Sequence, residues 1–216
     1  MNLTEGLLVV GLLGLAVLAG CSIADDTRGS DAGEPLEGVV TDVVDGDTID
    51  VRLANGTIER VRLLGIDTPE VHVETQPEEF DGVPDTEAGR ACLREAGANA
   101  SRVVEDRLAG ERVTLRLDPE ADTRGGYGRL LAVVVHENQS INYQLVRDGH
   151  ARLYDTEFSA RDRYATAQQA AEDADRGLWA CRATATDEPH MDISNYSASN
   201  SPQSATGLVP NASIAS

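Results

Sequence analysis

The sequence predicts an α+β domain, mainly β, in which five short strands close into a small barrel flanked by three helices. Three observations lead there. Apolar residues recur at strand period through "LEGVVTDVVDGDTIDVRLANGTIERVRLLGI", residues 36–66, with an Asn-Gly turn inside the run. A helical pattern then separates these strands from two more. Two further helical patterns end the ordered part of the chain.

The first three strands are read at Glu37–Val44, Thr48–Leu53 and Thr57–Leu64, the last two joined through Asn55-Gly56, which accepts the left-handed backbone of a two-residue hairpin. Ala96, Ala100, Val103, Val104 and Leu108 share one face of a helix over Ala96–Leu108, with Gly110 as its stop. The segments "RVTLRL" and "GRLLAVVVH" supply strands four and five. A short helix follows near Ile141–Arg147, then one over Arg161–Arg176, opened by Ser159 and Asp162 as a capping box and closed by Gly177. Five strands with a helix between the third and fourth point to a closed barrel of the OB kind. A generic α+β sandwich is the alternative.

Around that domain, residues 36–181, lie segments of other character. Gly6–Gly20 is an uncharged apolar run, too short for a comfortable membrane span and suited to a signal peptide over residues 1–20. It runs into "LAGC", which resembles a lipobox with Cys21 as the lipid-bearing residue; an ordinary signal peptide is the alternative, and export follows from both. Residues 21–35 read as a flexible tether, and residues 182–216, rich in Ser, Asn, Ala and Thr, as a disordered tail. The expected location is therefore the outer face of the cell membrane, held by lipid, or the medium if the protein is secreted.

Charge narrows the setting. The 216 residues hold 37 Asp and Glu against 18 basic residues, every one of them Arg, for a formal net charge of −19. That excludes a broadly basic nucleic-acid-binding surface. It fits a protein adapted to concentrated salt, where self-repulsion is screened over roughly 3 Å at 1 M.

The chemistry gathers at one rim. Asp45 and Asp47 flank Gly46 at the turn into the second strand, and Asp67 and Glu70 follow the third. In the hairpin the start of the second strand lies beside the end of the third, so Asp47 and Asp67 meet. Two carboxylates with nearby carbonyls and water make a hard-oxygen site suited to Ca²⁺, and no His or Cys cluster offers zinc. Arg62 lies on the third strand and Arg129 at the start of the fifth. A structural calcium site needs no such arginines. Phosphodiester hydrolysis does: guanidiniums and metal offset the charge of the pentacovalent transition state while a carboxylate handles the attacking water.

The segments "VVDGDTI", "RLLGIDTPE", "YGRLLA", "NYQLVRDGHAR" and "GLW", in this order over about Glu37–Trp179, resemble the thermonuclease, or staphylococcal nuclease, family. The resemblance implies an OB-fold barrel with three helices and Ca²⁺-dependent endonuclease cleavage of DNA and RNA, leaving 3′-phosphate ends. It implies that Asp47, Asp67 and the Thr68 carbonyl bind calcium, that Arg62 and Arg129 hold the phosphate, that Glu70 acts on the water, and that Tyr127 lies beside the nucleotide. A monomer is expected. A non-catalytic OB module that captures nucleic acid or another ligand at the cell surface is the competing function.

Departures from the family pattern are informative too. The loop Val71–Gly89 is acidic, and residues 36–181 carry 29 acidic against 16 basic residues, so local metal and arginine contacts must carry binding. His72 reads as a solvated loop residue, and Tyr154 and Tyr164 as packing residues. Cys92 and Cys181 form an even pair in an exported domain, which favours a disulfide between the segment before the first long helix and the end of the last; two free buried thiols are the alternative.

Overall fold

The structure, a computed structural model, describes residues 33–73 and 75–186. The expected signal peptide with Cys21, most of the expected tether and the expected tail beyond residue 186 lie outside the described residues. In chain order the elements are β1 (Leu36–Val43), β2 (Thr48–Leu53), β3 (Ile58–Leu63), a two-residue β4 (Ile66–Asp67), α1 (Glu87–Leu108), β5 (Arg112–Arg116), β6 (Leu130–His136), β7 (Gln139–Ser140), α2 (Ile141–Arg147), β8 (Arg152–Leu153) and α3 (Arg161–Glu172). A 3₁₀ segment, Gly177–Thr186, follows.

The strands run β3-β2-β1-β5-β6, and β6 returns to pair with β3. That last pairing is parallel, Val61 with Leu130 and Arg62 with Leu131, and it closes the barrel. A register shift in β1 between Val40 and Asp42 bends the strand so that it can serve both β2 and β5. Inward positions carry Val40, Ile49, Val51, Val61, Leu63, Val113, Leu115 and Val134, all essentially inaccessible. From outside, α1 contributes Val104 and Leu108 and α2 contributes Ile141 and Leu145 to the same core. The predicted barrel class holds.

Asn142 on α2 ties this closure together. It is fully buried, accepts from the Val134 amide at 2.9 Å, and donates to the carbonyls of Leu64 at 3.0 Å and Ala132 at 3.1 Å. Every polar atom of the side chain has a partner, so its burial is affordable where the barrel seam would otherwise leave backbone groups exposed. A second cluster, Phe80, Val83, Leu93, Ala171, Leu178 and Trp179, lies under the loop before α1, and there Cys92 and Cys181 form a disulfide.

Several boundaries differ from those read in the sequence. Helix α1 starts at Glu87, nine positions before Ala96, capped by the Thr86 hydroxyl, which accepts from the Gly89 amide at 3.1 Å. Its first turns bury Leu93 in the second cluster and Gly89 against the Pro84 carbonyl, so small residues around Leu93 hid the apolar face. Cys92 accordingly sits inside this helix and not ahead of it. Helix α3 ends at Glu172, because the chain turns left-handed at Asp175 (φ 46°) before reaching Gly177. Ser159 does not cap it: its amide and hydroxyl both donate to Asp118, and the N-cap position is Ala160. The two-residue strands β4, β7 and β8 are too short to show a period.

Candidate active site

The site is built on the turn before β2. Asp45 accepts from the Asp47 amide at 3.0 Å, and the amides of Val44 and Asp45 both bond the Thr48 carbonyl, at 2.9 and 3.2 Å. Gly46 is required by space: a Cβ there would lie 2.9 Å from Ala100 of α1 and from the Thr68 side chain. The Leu63 amide donates to the Asp47 carbonyl at 2.8 Å, which sets this turn beside the end of β3. Gly97 of α1 does the same for the segment after β4, since a Cβ would fall 2.3 Å from the Pro69 carbonyl oxygen. Helix and "DTPE" segment are thus in backbone contact one residue before Glu70.

Asp47 and Asp67 are buried, 2% and 8% exposed, and Arg62 joins them. The Arg62 guanidinium pairs with Asp47 Oδ1 and, at 2.5 Å, with Asp67 Oδ1, and it also donates to the Ile66 carbonyl at 3.3 Å. Asp47 further accepts from the Thr48 hydroxyl and from the Thr68 amide and hydroxyl, at 3.0, 3.0 and 3.1 Å. Arg129 donates to the Thr48 hydroxyl at 3.4 Å and lies 5.6 Å from the centre of the Tyr127 ring, while its buried Nε has no partner among the described residues. The structure therefore brings Asp47, Arg62, Asp67, Thr68 and Arg129 together, as the sequence predicts. Tyr127 stands beside them, 91% exposed.

Glu70 is different in kind. Its carboxylate has no hydrogen bond or ion pair among the described residues. Burial, together with the negative charges of Asp45 and Asp67, pushes its carboxyl above the usual carboxylate range, with Arg62 opposing. Asp45 is pushed up by its own burial, again against Arg62. A carboxylate without a hydrogen-bond partner and with a raised proton affinity, near the Arg62 guanidinium, can accept a proton from a water molecule.

Sequence reasoning missed Arg152. It sits opposite Asp67 in the β4–β8 pair, bonds Asp67 Oδ2 at 2.7 Å, reaches Glu79 at 3.7 Å, and stacks 5.4 Å from the Phe80 ring centre. The only signal was its place in "GHAR", which carries no period. Tyr154 also departs from expectation: it is 48% exposed and, with Arg62, Tyr127, Arg129 and Leu131, lines a cavity of about 400 Å³. Tyr164 packs in the core, and His72 is an exposed loop residue bonded to the Val44 carbonyl at 3.0 Å.

The donors suit a hard divalent cation. Two buried carboxylates, Asp47 and Asp67, and the Thr68 backbone carbonyl are oxygen donors of the kind such a cation takes, although the carboxylates are paired here with Arg62 and Arg152. No group of three or more His, Cys, Asp or Glu placed to hold a metal occurs among the described residues.

A barrel rim with paired carboxylates, converging arginines and one free glutamate defines a class of protein equipped for phosphoryl chemistry. Residues 60–181 match the family described as Staphylococcal nuclease homologue. The chain is 35% identical over 156 residues to an uncharacterized protein of Methanocaldococcus jannaschii, covering 69% of this chain and 74% of that one. It is 31% identical to the SPbeta prophage-derived endonuclease YokF of Bacillus subtilis over 67% of this chain and 44% of YokF. It is 34% identical to the thermonuclease of Staphylococcus intermedius over 53% of this chain and 57% of that protein. The chain belongs to the staphylococcal nuclease family, although it spans only about half the length of these two nucleases.

Proposed function

We propose that the chain is a Ca²⁺-dependent endonuclease that hydrolyses phosphodiester bonds of DNA and RNA, leaving 3′-phosphate ends. Family membership makes it a hydrolase of the nuclease type. The observation that carries the mechanism is the Glu70 carboxylate, which has no hydrogen bond or ion pair among the described residues and feels the charge of Arg62. Arg62 and Arg129 bind the phosphate and offset the charge that builds on its oxygens as water adds. Glu70 orients that water and takes its proton. Tyr127 and Tyr154 wall the cavity where the nucleotide lies. Asp47, Asp67 and the Thr68 carbonyl would hold Ca²⁺, whose charge supplies Lewis-acid polarisation of the phosphate.

The reading extends to place: a monomer, exported and held at the outer membrane face by lipid on Cys21, in a salt-adapted organism. The absence of Lys and the acidic surface support the salt adaptation, and "LAGC" supports the anchor. The test is cleavage of plasmid and single-stranded DNA with Ca²⁺ or with chelator across a salt series. Cleavage that depends on Ca²⁺ is expected. Binding without cleavage under every condition would favour the non-catalytic OB module instead.

A further inference from the structure

Sequence alternation on β6 sets two cavities end to end. Leu130, Ala132 and Val134 point into the core, so Arg129, Leu131, Val133 and Val135 share the outer face. Leu131 lines the cavity that holds Arg62, Arg129 and Tyr127. Val133 and Val135 floor a second cleft of about 450 Å³, walled by Arg116, Arg147, Arg163 and Tyr143. Two strand positions, roughly 7 Å, separate the two floors.

What divides them is a thin strap. Asp122 and Thr156 line the first cavity and Arg116 and Ala160 the second, so the segments 116–122 and 156–160 each run from one cavity to the other. They are pinned together where the Ser159 amide and hydroxyl donate to Asp118.

The second cleft gathers three arginines in a strongly acidic domain; Arg147 is paired with Asp148 at 2.8 Å, which leaves Arg116 and Arg163 as its excess charge. Many arginines elsewhere are neutralised locally: Arg60 by Asp50, Arg124 by Glu59, Arg161 by Asp155, Arg182 by Glu172. Arg116 and Arg163 face no carboxylate partner among the described residues. Arg163 is held 3.9 Å over the Tyr143 ring, and that ring is held edge-on by Tyr164 at 5.5 Å. A guanidinium oriented by stacking but left without a counter-ion is suited to an anion arriving from outside. An aromatic beside unpaired guanidiniums is the combination that binds single strands without sequence preference.

We propose that this cleft is a second subsite for single-stranded polynucleotide, taking the backbone of a strand whose scissile phosphate lies at Arg62 and Arg129. The proposal rests on the nuclease reading and sharpens its substrate class to strands long enough to cross the strap. The acidic remainder of the surface repels such a strand, so the two arginine clusters act as separate footholds along one face of β6.

The test uses the full chain at one fixed salt concentration that keeps it folded. Fluorescence anisotropy with labelled oligothymidylates of three and twelve nucleotides, in chelator to prevent cleavage, reads binding. The parent should bind the longer strand at least about tenfold more tightly, and Arg116→Gln combined with Arg163→Gln should abolish that gain. The salt slope for the longer strand should become shallower by roughly 1.4, for two lost phosphate contacts at about 0.7 each. With Ca²⁺ restored, the double variant should cleave the trinucleotide at the parent rate. Retention of the length-dependent gain in the variant, or its absence in the parent, overturns the proposal. A parent that binds with this length dependence yet cleaves nothing removes the nuclease reading and leaves the cleft standing.

Discussion

Arg62 does two jobs that a single substitution can separate. Without a divalent ion it is the cation that compensates Asp47 and Asp67, and with substrate it is proposed to hold phosphate. In Arg62→Gln, Asp47 stays 2% exposed with its Thr48 and Thr68 bonds but loses its counter-charge, while Asp67 keeps Arg152 at 2.7 Å. Breaking a buried pair by deleting one partner costs about 3–5 kcal/mol, and the surviving Arg152 contact argues for the lower end. For a domain of this size about 3 kcal/mol corresponds to a fall in Tm of roughly 6–12 °C. Calcium should narrow the difference, because the vacated carboxylates bind it without displacing a guanidinium; at about 100 times Kd, binding returns ~2.7 kcal/mol. Arg62→Lys should keep most of the stability yet lose rate, since an ammonium cannot make two parallel bonds to a phosphoryl group. Thermal unfolding of parent and both variants, in chelator and in Ca²⁺ at one salt concentration, checks this. If Arg62→Gln melts with the parent in chelator, or if calcium widens the gap, the double role is wrong.

Other perturbations probe neighbouring parts. Glu70→Gln should retain Ca²⁺ and nucleotide binding by calorimetry while turnover falls about 10²–10⁴-fold, the range for a lost general base; parent-level turnover would remove Glu70 from the chemistry. Gly97→Ala must displace Pro69, because the added Cβ would lie 2.3 Å from its carbonyl oxygen, so rate should fall with calcium affinity little changed. Reduction of Cys92–Cys181, which spans 89 residues, should lower stability by roughly 2–5 kcal/mol, read as a shift in denaturation midpoint on adding dithiothreitol. Activity with saturating Ca²⁺ should rise from low salt toward molar KCl, with circular dichroism in the same titration separating refolding from screening; a maximum near 0.1 M would count against salt adaptation.

The barrel was legible because its signals are local and repeated. The alternation of Thr48–Leu53 and Ile58–Leu63 about Asn55-Gly56 fixes a hairpin, and the hairpin register carries Asp47 to the end of β3. Motif spacing thus became distance. Where the helix's buried face is made of glycine and alanine, as in the first turns of α1, hydropathy carries no period and the boundary slipped. Arg152 was invisible for another reason: its role arises from a two-residue pairing, Asp67 with Arg152, between segments 85 positions apart. Tyr154 shows the converse, an aromatic that composition would bury and that the same short pairing leaves at the cavity wall.

That short pairing also explains how an acidic domain can hold the arginines of the proposed phosphate site in place. Asp67 is shared: Arg62 holds one oxygen from β3 and Arg152 holds the other from β8. A carboxylate clamped from both sides keeps its orientation, so the positive groups around it are fixed by structure and do not depend on a basic surface. Arginine serves this purpose where lysine would not, since its planar fork can bond a buried carboxylate while presenting remaining donors outward. Arg62 and Arg129 meet because β6 closes on β3 in parallel, and Arg152 joins them through the β4–β8 pair. The barrel seam that Asn142 secures is therefore also what assembles the site, and loosening it should cost activity before it costs the fold.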